Sequence, residues 1–240
     1  MSSFTPADGG DYDPLVARRV FGRSVDDALR YASLLCTEGV ARGLIGPNEV
    51  PRLWQRHVLN CAAVADLIPV GRRVCDLGSG AGLPGIPVAL ARPDLDVDLV
   101  EPMRRRSRFL EEVRGRLAIG DRMRVVRGRA PEVARLLSPP PAVVIARAVA
   151  PLEVLVAWAL PLLDPGGELL AIRGSRAAGE VRNATSAIRA YGGYGVQVHR
   201  CGSAYLEEPA TVVRVARRQA PGAPRPGRRR GHTRTGEEKQ

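Results

Sequence analysis

Residues Asp76-Leu77-Gly78-Ser79-Gly80-Ala81-Gly82-Leu83-Pro84-Gly85 place four glycines and an acid in one short segment, directly after the apolar run that ends at Leu77. Spacing of this kind serves ligand capture by the backbone, because a chain without Cβ atoms turns tightly and approaches a bound group where a side chain would collide. Gly80 to Gly85 also satisfies the dinucleotide pattern G-x-G-x-x-G. Three features favour an adenosylmethionine loop instead. Asp76 stands just before the first glycine, the Gly-x-Gly-x-Gly run begins at once after the apolar run, and Pro84 interrupts the helix start on which a pyrophosphate would sit. Glu101 closes the next apolar run about 20 residues on, where an acid accepts the ribose hydroxyls in either cofactor class. Asp76, Gly78, Gly80, Gly82 and Glu101 are therefore expected to contact an adenosine-containing ligand, and an NAD(P)-binding oxidoreductase stays open as the alternative.

The elements around this loop have the periodicity of an α/β fold. From residue 72 to residue 216, apolar runs of strand length alternate with helical segments, which implies a mostly parallel, doubly wound sheet with right-handed crossovers. The last two runs, Tyr194–Cys201 and Ala210–Ala216, have no helix between them, so one of them is expected to be antiparallel. Residues 14–70 repeat apolar positions at three- and four-residue intervals and read as a helical extension, too short to build a core alone. Residues 1–13 read as a flexible lead-in and 217–240, rich in Arg, Pro and Gly, as a disordered basic tail. The expected domain is thus a Rossmann-like body over 71–216 with a small N-terminal helical extension.

Composition narrows the class of partner. The 240 residues carry 36 Lys plus Arg against 25 Asp plus Glu, a formal charge of +11, and 35 of those 36 cations are Arg. Such a balance favours polyanionic partners. Eight cations and two Glu, or +6, fall in 217–240, which leaves +5 for the rest. Aromatic residues are only 4%, too few for a surface of base-stacking platforms. Four scattered Cys and three His form no ligand spacing, so neither a disulfide framework nor a metal site is expected. No apolar run reaches the roughly 20 residues of a membrane span and no leader is recognisable, so the expected setting is cytoplasmic, and a monomer is expected.

Four segments in order, Trp54-Gln55-Arg56-His57-Val58-Leu59-Asn60, Asp76 to Pro87, Arg105-Arg106-Ser107-Arg108-Phe109-Leu110 and Ala146-Arg147-Ala148, resemble the RsmG (GidB) family of bacterial 16S rRNA methyltransferases. The likeness spans roughly 53–215, with Gly82-Leu83-Pro84-Gly85-Ile86-Pro87 as its most specific part, and the Arg-heavy composition looks actinobacterial. It implies a class I S-adenosylmethionine methyltransferase fold with a seven-stranded sheet, and transfer of a methyl group to guanine N7 in 16S rRNA or the 30S particle. By position, it implies donor contacts at Gly78, Leu83, Ala130, Pro131 and Arg147. Pro131 departs from the acid usual there, with Glu132 one step later; a proline offers neither an N–H nor an acceptor to adenine. Arg173 stands where the family commonly has Lys, which keeps the charge and alters its geometry.

Guanine N7 has a lone pair and no proton, so its alkylation needs no general base. Arg147, just past the fourth strand, is the candidate for orienting the guanine or the donor carboxylate, and is the one catalytic assignment. Arg105, Arg106 and Arg108, beside Glu101, are expected to contact phosphates, with Arg56, His57 and Arg173 as further RNA contacts. An RNA-binding module with a vestigial donor site is the non-enzymatic alternative.

Overall fold

The strand-length runs assemble into one seven-stranded sheet in a computed structural model that describes residues 10–219. Its strands are β1 (Arg73–Leu77), β2 (Asp96–Val100), β3 (Met123–Val126), β4 (Val143–Arg147), β5 (Glu168–Arg173), β6 (Gly193–Cys201) and β7 (Ala210–Arg217). They lie in the order β3-β2-β1-β4-β5-β7-β6, with β7 antiparallel to both of its neighbours and the first five strands parallel. The chain order reverses between β1 and β4, and in open parallel sheets the carboxyl ends at such a switch point form the ligand crevice. Leu77 and Arg147 end the two strands there.

Among the described residues seven α-helices flank or precede the sheet: α1 (Pro14–Phe21), α2 (Val25–Leu34), α3 (Asn60–Ala62), α4 (Gly85–Ala91), α5 (Arg104–Arg116), α6 (Leu152–Ala159) and α7 (Ala177–Ala190). Two apolar layers bury the faces. One joins Ile86, Leu90, Phe109 and Leu110 of α4 and α5 to Tyr31, Trp54 and Leu59 of the extension; the other packs Leu152, Leu155 and Ile188 of α6 and α7 against Val144, Leu169 and Val213. The extension therefore shares the core of the sheet, as expected for a segment with too little apolar surface to fold alone. The stretch expected to be a flexible lead-in has fixed contacts from Gly10 onward. Asp11 accepts the backbone N–H groups of Trp54 and Gln55, and Asp13 caps α1 by accepting from Leu15 and Val16. Both carboxylates meet helix-start N–H groups that have no partner within the helix. Of the expected basic tail, residues 220–240 lie outside the described residues.

α2 continues through a π-helical turn at Leu35–Gly39, and α3 is preceded by another at Trp54–Leu59. These helices touch the glycine loop. The hydroxyl of Tyr31, fully buried on α2, donates to the carbonyl of Ala81 at 2.9 Å. Removing it in Tyr31→Phe leaves a buried acceptor unpaired, which costs about 1–3 kcal/mol. Urea unfolding is expected to report that loss together with weaker donor binding; unchanged stability would mean that water replaces the hydroxyl.

Candidate active site

Three glycines of the loop adopt backbone that favours glycine, for different reasons. Gly78, Gly80 and Gly82 have φ of 75°, 58° and 99°. A Cβ on Gly82 would lie 2.3 Å from Cδ1 of Ile86, and one on Gly85 2.4 Å from Cδ2 of Leu99, so these two glycines let the loop settle onto the core. A Cβ on Gly80 would meet nothing closer than the carbonyl of Gly78 at 3.9 Å, so this residue faces open space. Gly78 is closed from the far side by Val149, whose Cγ2 lies 2.8 Å from where a Cβ would sit. Val149 reaches it because Ala148 takes φ 53°, a left-handed conformation that costs a non-glycine residue about 1–2 kcal/mol. The loop after β4 and the loop after β1 thereby interlock.

Two buried acids hold the loop. Asp76, fully buried, accepts from Gly85 N–H through Oδ2 at 2.9 Å, while its Oδ1 has no partner among the described residues. Burial pushes its carboxyl up to about 7, and the bond from Gly85 only partly offsets that. Glu101, 2% exposed, accepts from Gly80 N–H at 3.0 Å and from Met103 N–H at 2.9 Å, one bond on each oxygen. A carboxylate offers about four lone pairs, so about two remain for a ligand. Leu83 is half-buried against the core beside the loop. Ala130 and Pro131 lie in the turn after β3, with Pro131 and Glu132 exposed.

Arg147 does not stand as a lone arginine on a loop. Its Nη1 donates to Cys61 Sγ at 3.0 Å, and its Nη2 donates to the carbonyl of Arg56 at 3.1 Å and to His57 Nδ1 at 2.7 Å. His57 Nε2 is 2.8 Å from Glu49 Oε2, an oxygen that also takes Arg56 Nε at 2.9 Å. The order of partners sets the tautomer: Nδ1 accepts from a permanent cation and Nε2–H donates to a carboxylate. Burial and then the Arg147 charge hold the imidazole below its usual pKa, so it is neutral. Both ring nitrogens are engaged and the residue is buried, so the structure places His57, expected as an RNA contact, between Arg147 and Glu49.

Arg56 keeps its side chain half in solvent. Arg105 and Arg108 are exposed and Arg106 is half-buried, and none of the three enters a side-chain hydrogen bond or ion pair among the described residues. They occupy the first turns of α5, which carries no acid in its first turn. Cations at a helix N-terminus oppose the helix dipole by about 0.3–1 kcal/mol each, so stability does not explain them. The side chain of Arg173, expected as an RNA contact, is only 8% exposed at the end of β5.

Glu49, Cys61 and Tyr31 were not visible as site residues in the sequence. Cys61 lies four positions after His57 on one helical run, which is a readable signal; Glu49 reaches His57 across a 3₁₀ turn, which is not. Among the described residues no group of three His, Cys, Asp or Glu side chains is placed to hold a metal ion, and no helix is long and apolar enough to cross a membrane.

Sheet order, the antiparallel seventh strand and a glycine loop at the switch point define a class I methyltransferase fold. An S-adenosylmethionine-dependent O-methyltransferase from Thermotoga maritima shares that fold, at TM-score 0.51 and 12% identity, over 72% of this chain and 71% of its own. Residues 24–208 match the family GidB, rRNA small subunit methyltransferase G. The protein of that name from Salinispora arenicola is 51% identical over 88% of this chain and 88% of its own length. The one from Frankia casuarinae is 54% identical over 85% and 77%. The chain belongs to the rRNA small subunit methyltransferase G (GidB) family.

Proposed function

We propose that this protein transfers a methyl group from S-adenosylmethionine to N7 of a guanine in 16S rRNA. The observation that carries this reading is the open face at Gly80, whose N–H is held by Glu101, a carboxylate with lone pairs to spare. These residues fit a cationic nucleoside: Glu101 suits the ribose hydroxyls, and Asp76 suits an ammonium group. Gly78 and Gly82 let the loop close under the ligand, Leu83 packs at its side, and the turn at Ala130 and Pro131 is assigned to the adenine, to which Pro131 itself gives no hydrogen bond. When bound, S-adenosylmethionine supplies a methyl group activated by a sulfonium.

The chain's own residues then have to orient and neutralise. The N7 lone pair is free of protons, so no base is required, and holding the reactants in line supplies up to about 7–11 kcal/mol of the barrier in favourable cases. Arg147 retains two of its five N–H groups after its three bonds, enough to align the guanine or the donor carboxylate. Arg105, Arg106 and Arg108 supply uncompensated charge beside the donor edge for RNA phosphates, with Arg56 at the rim. The family match disfavours the oxidoreductase alternative.

Incubating 30S particles and naked 16S rRNA with donor labelled in the methyl group, then mapping the label by mass, tests the proposal. Label at one guanine N7 supports it; label elsewhere, or none, overturns it.

A pH dependence follows from Asp76. Its raised pKa means the free protein keeps the carboxyl neutral below about 7, a stabilising contribution present below the ordinary value of about 4 and lost as pH rises through 7. A cationic donor favours the ionised form, so its affinity is expected to increase about five- to tenfold between pH 6 and pH 8. Calorimetry of S-adenosylmethionine binding checks this, and Asp76→Asn is expected to bind more weakly with a flat profile.

A further inference from the structure

An N7 lone pair does not by itself single out guanine, because adenine carries one too. Selection between the two purines has to use another edge of the base. With N7 turned to the donor, guanine offers its Watson–Crick edge, where N1–H and the N2 amino group donate and O6 accepts; adenine presents an acceptor at N1 and no amino group at C2. The complement of two adjacent N–H donors is an ionised carboxylate, which only accepts.

Carboxylates free to do this stand in a cleft of about 660 Å³, bounded by the extension, the end of β5 and the segment joining β6 to β7. Glu207 and Glu208 line it from that segment, and both are exposed. Arg52, Arg56, Arg173 and Arg200 line it as well, yet among the described residues none of them pairs with either acid. Arg52 and Arg56 are held by Glu49, Arg200 donates to Thr211 Oγ1, and Arg173 donates to the carbonyl of Ala150. Two unpaired carboxylates add no ion pair to the fold and repel a phosphate backbone, so neither stability nor phosphate binding accounts for them. Asn60 lines the same cleft from the extension, and its amide makes no hydrogen bond among the described residues. An amide N–H is the partner that O6 requires.

The segment that carries the acids is tied down. Gln55 Oε1 accepts from Glu207 N–H at 3.3 Å, and buried Leu206 donates its N–H to the carbonyl of Gly202 at 2.9 Å. Glu208 is the more constrained of the two acids, because the ring of Pro209 restricts the residue before it and β7 starts at Ala210. The cleft adjoins the donor edge: Arg147 Nη2 donates to the carbonyl of Arg56, and Ile172, beside Arg173, pairs in register with Arg147.

We propose that Glu208 selects guanine over adenine by accepting N1–H and N2–H of the unstacked base, with the Asn60 amide donating to O6. The proposal rests on the guanine-N7 reading above, and it leaves N7 itself untouched for the methyl group.

Calorimetric titration of the full chain with guanosine, inosine and adenosine 5′-monophosphates tests it. The three share ribose and phosphate and differ in the base edge; inosine keeps N1–H and O6 and lacks the N2 amino group. The guanosine nucleotide is expected to bind about tenfold more tightly than the inosine one, and the adenosine one more weakly still. Glu208→Gln is expected to weaken the guanosine nucleotide about tenfold and erase its advantage over inosine, with donor affinity as in the wild type, whereas Glu207→Gln keeps that advantage. Wild-type protein that binds the guanosine nucleotide no better than the adenosine one overturns the proposal, and so does a Glu208→Gln variant that keeps the wild-type ratio of guanosine to inosine. Failure of the methyltransferase reading has a different signature, namely no label transferred to guanine N7 by the wild-type protein, whatever the nucleotide affinities.

Discussion

Gly80→Asn is expected to abolish donor binding while leaving the protein folded, and Gly82→Ala to do nearly the reverse. Asparagine tolerates left-handed backbone better than most residues, so φ 58° at position 80 adds little strain. Its side chain would project into the open face, where the nearest fixed atom to a Cβ is 3.9 Å away. Affinity for S-adenosylmethionine is expected to fall by about 100-fold or more, or about 2.7 kcal/mol, with a melting shift of a few degrees at most. At Gly82 the single added methyl meets Cδ1 of Ile86 at 2.3 Å and the Tyr31 hydroxyl at 3.1 Å, inside the core, at φ 99°. Overpacking of this kind costs about 1–3 kcal/mol, with backbone strain added, so destabilisation leads and weaker binding follows. Thermal melts and donor titrations on both variants decide the matter. Intact donor binding in Gly80→Asn would remove the ligand from the face assigned to it.

Arg147→Ala is expected to lower kcat/KM for 16S rRNA by about 100-fold, or about 2.7 kcal/mol of transition-state stabilisation. The guanidinium links the end of β4 to Cys61, Arg56 and His57 of the extension, so truncation removes an orienting group and its brace together. Arg147→Lys keeps the charge without the planar fork and is expected to recover only about a tenth of the lost activity. Glu49→Gln separates bracing from direct action. It keeps an acceptor near His57 Nε2 and removes the carboxylate charge, so a smaller fall is expected, concentrated in kcat. A wild-type kcat/KM in Arg147→Ala would reduce this residue to a structural tie between β4 and the extension.

The parts of the site that reside in backbone were legible from residue order. Glycines 78, 80, 82 and 85, with Asp76 before them and Glu101 one strand on, sit at consecutive strand ends, and a parallel sheet carries consecutive strand ends to one edge. The order of strands and helices likewise required an antiparallel partner where no crossover helix was available, and β7 takes that place. The place of Arg105, Arg106 and Arg108 at a helix start next to Glu101 was equally readable, and no acid in that first turn offsets them.

What sequence order could not convey is which side chains meet across the fold. Glu49, His57, Cys61 and Arg147 converge from the extension and the end of β4, and Arg173 turns inward to brace Ala150. The chain by itself determined the fold class, the glycine loop at the switch point and the arginines at the start of α5, since each follows from local spacing and the pleat of one sheet. Only the tertiary structure decided that Gly80 faces open space while Gly82 faces core, that His57 lies between Glu49 and Arg147, and that Arg173 keeps two donors unpaired among the described residues. Those outcomes depend in large part on packing between distant segments, such as Tyr31 against Ala81, 50 positions on, and His57 against Arg147, 90 positions on, where no periodicity carries information.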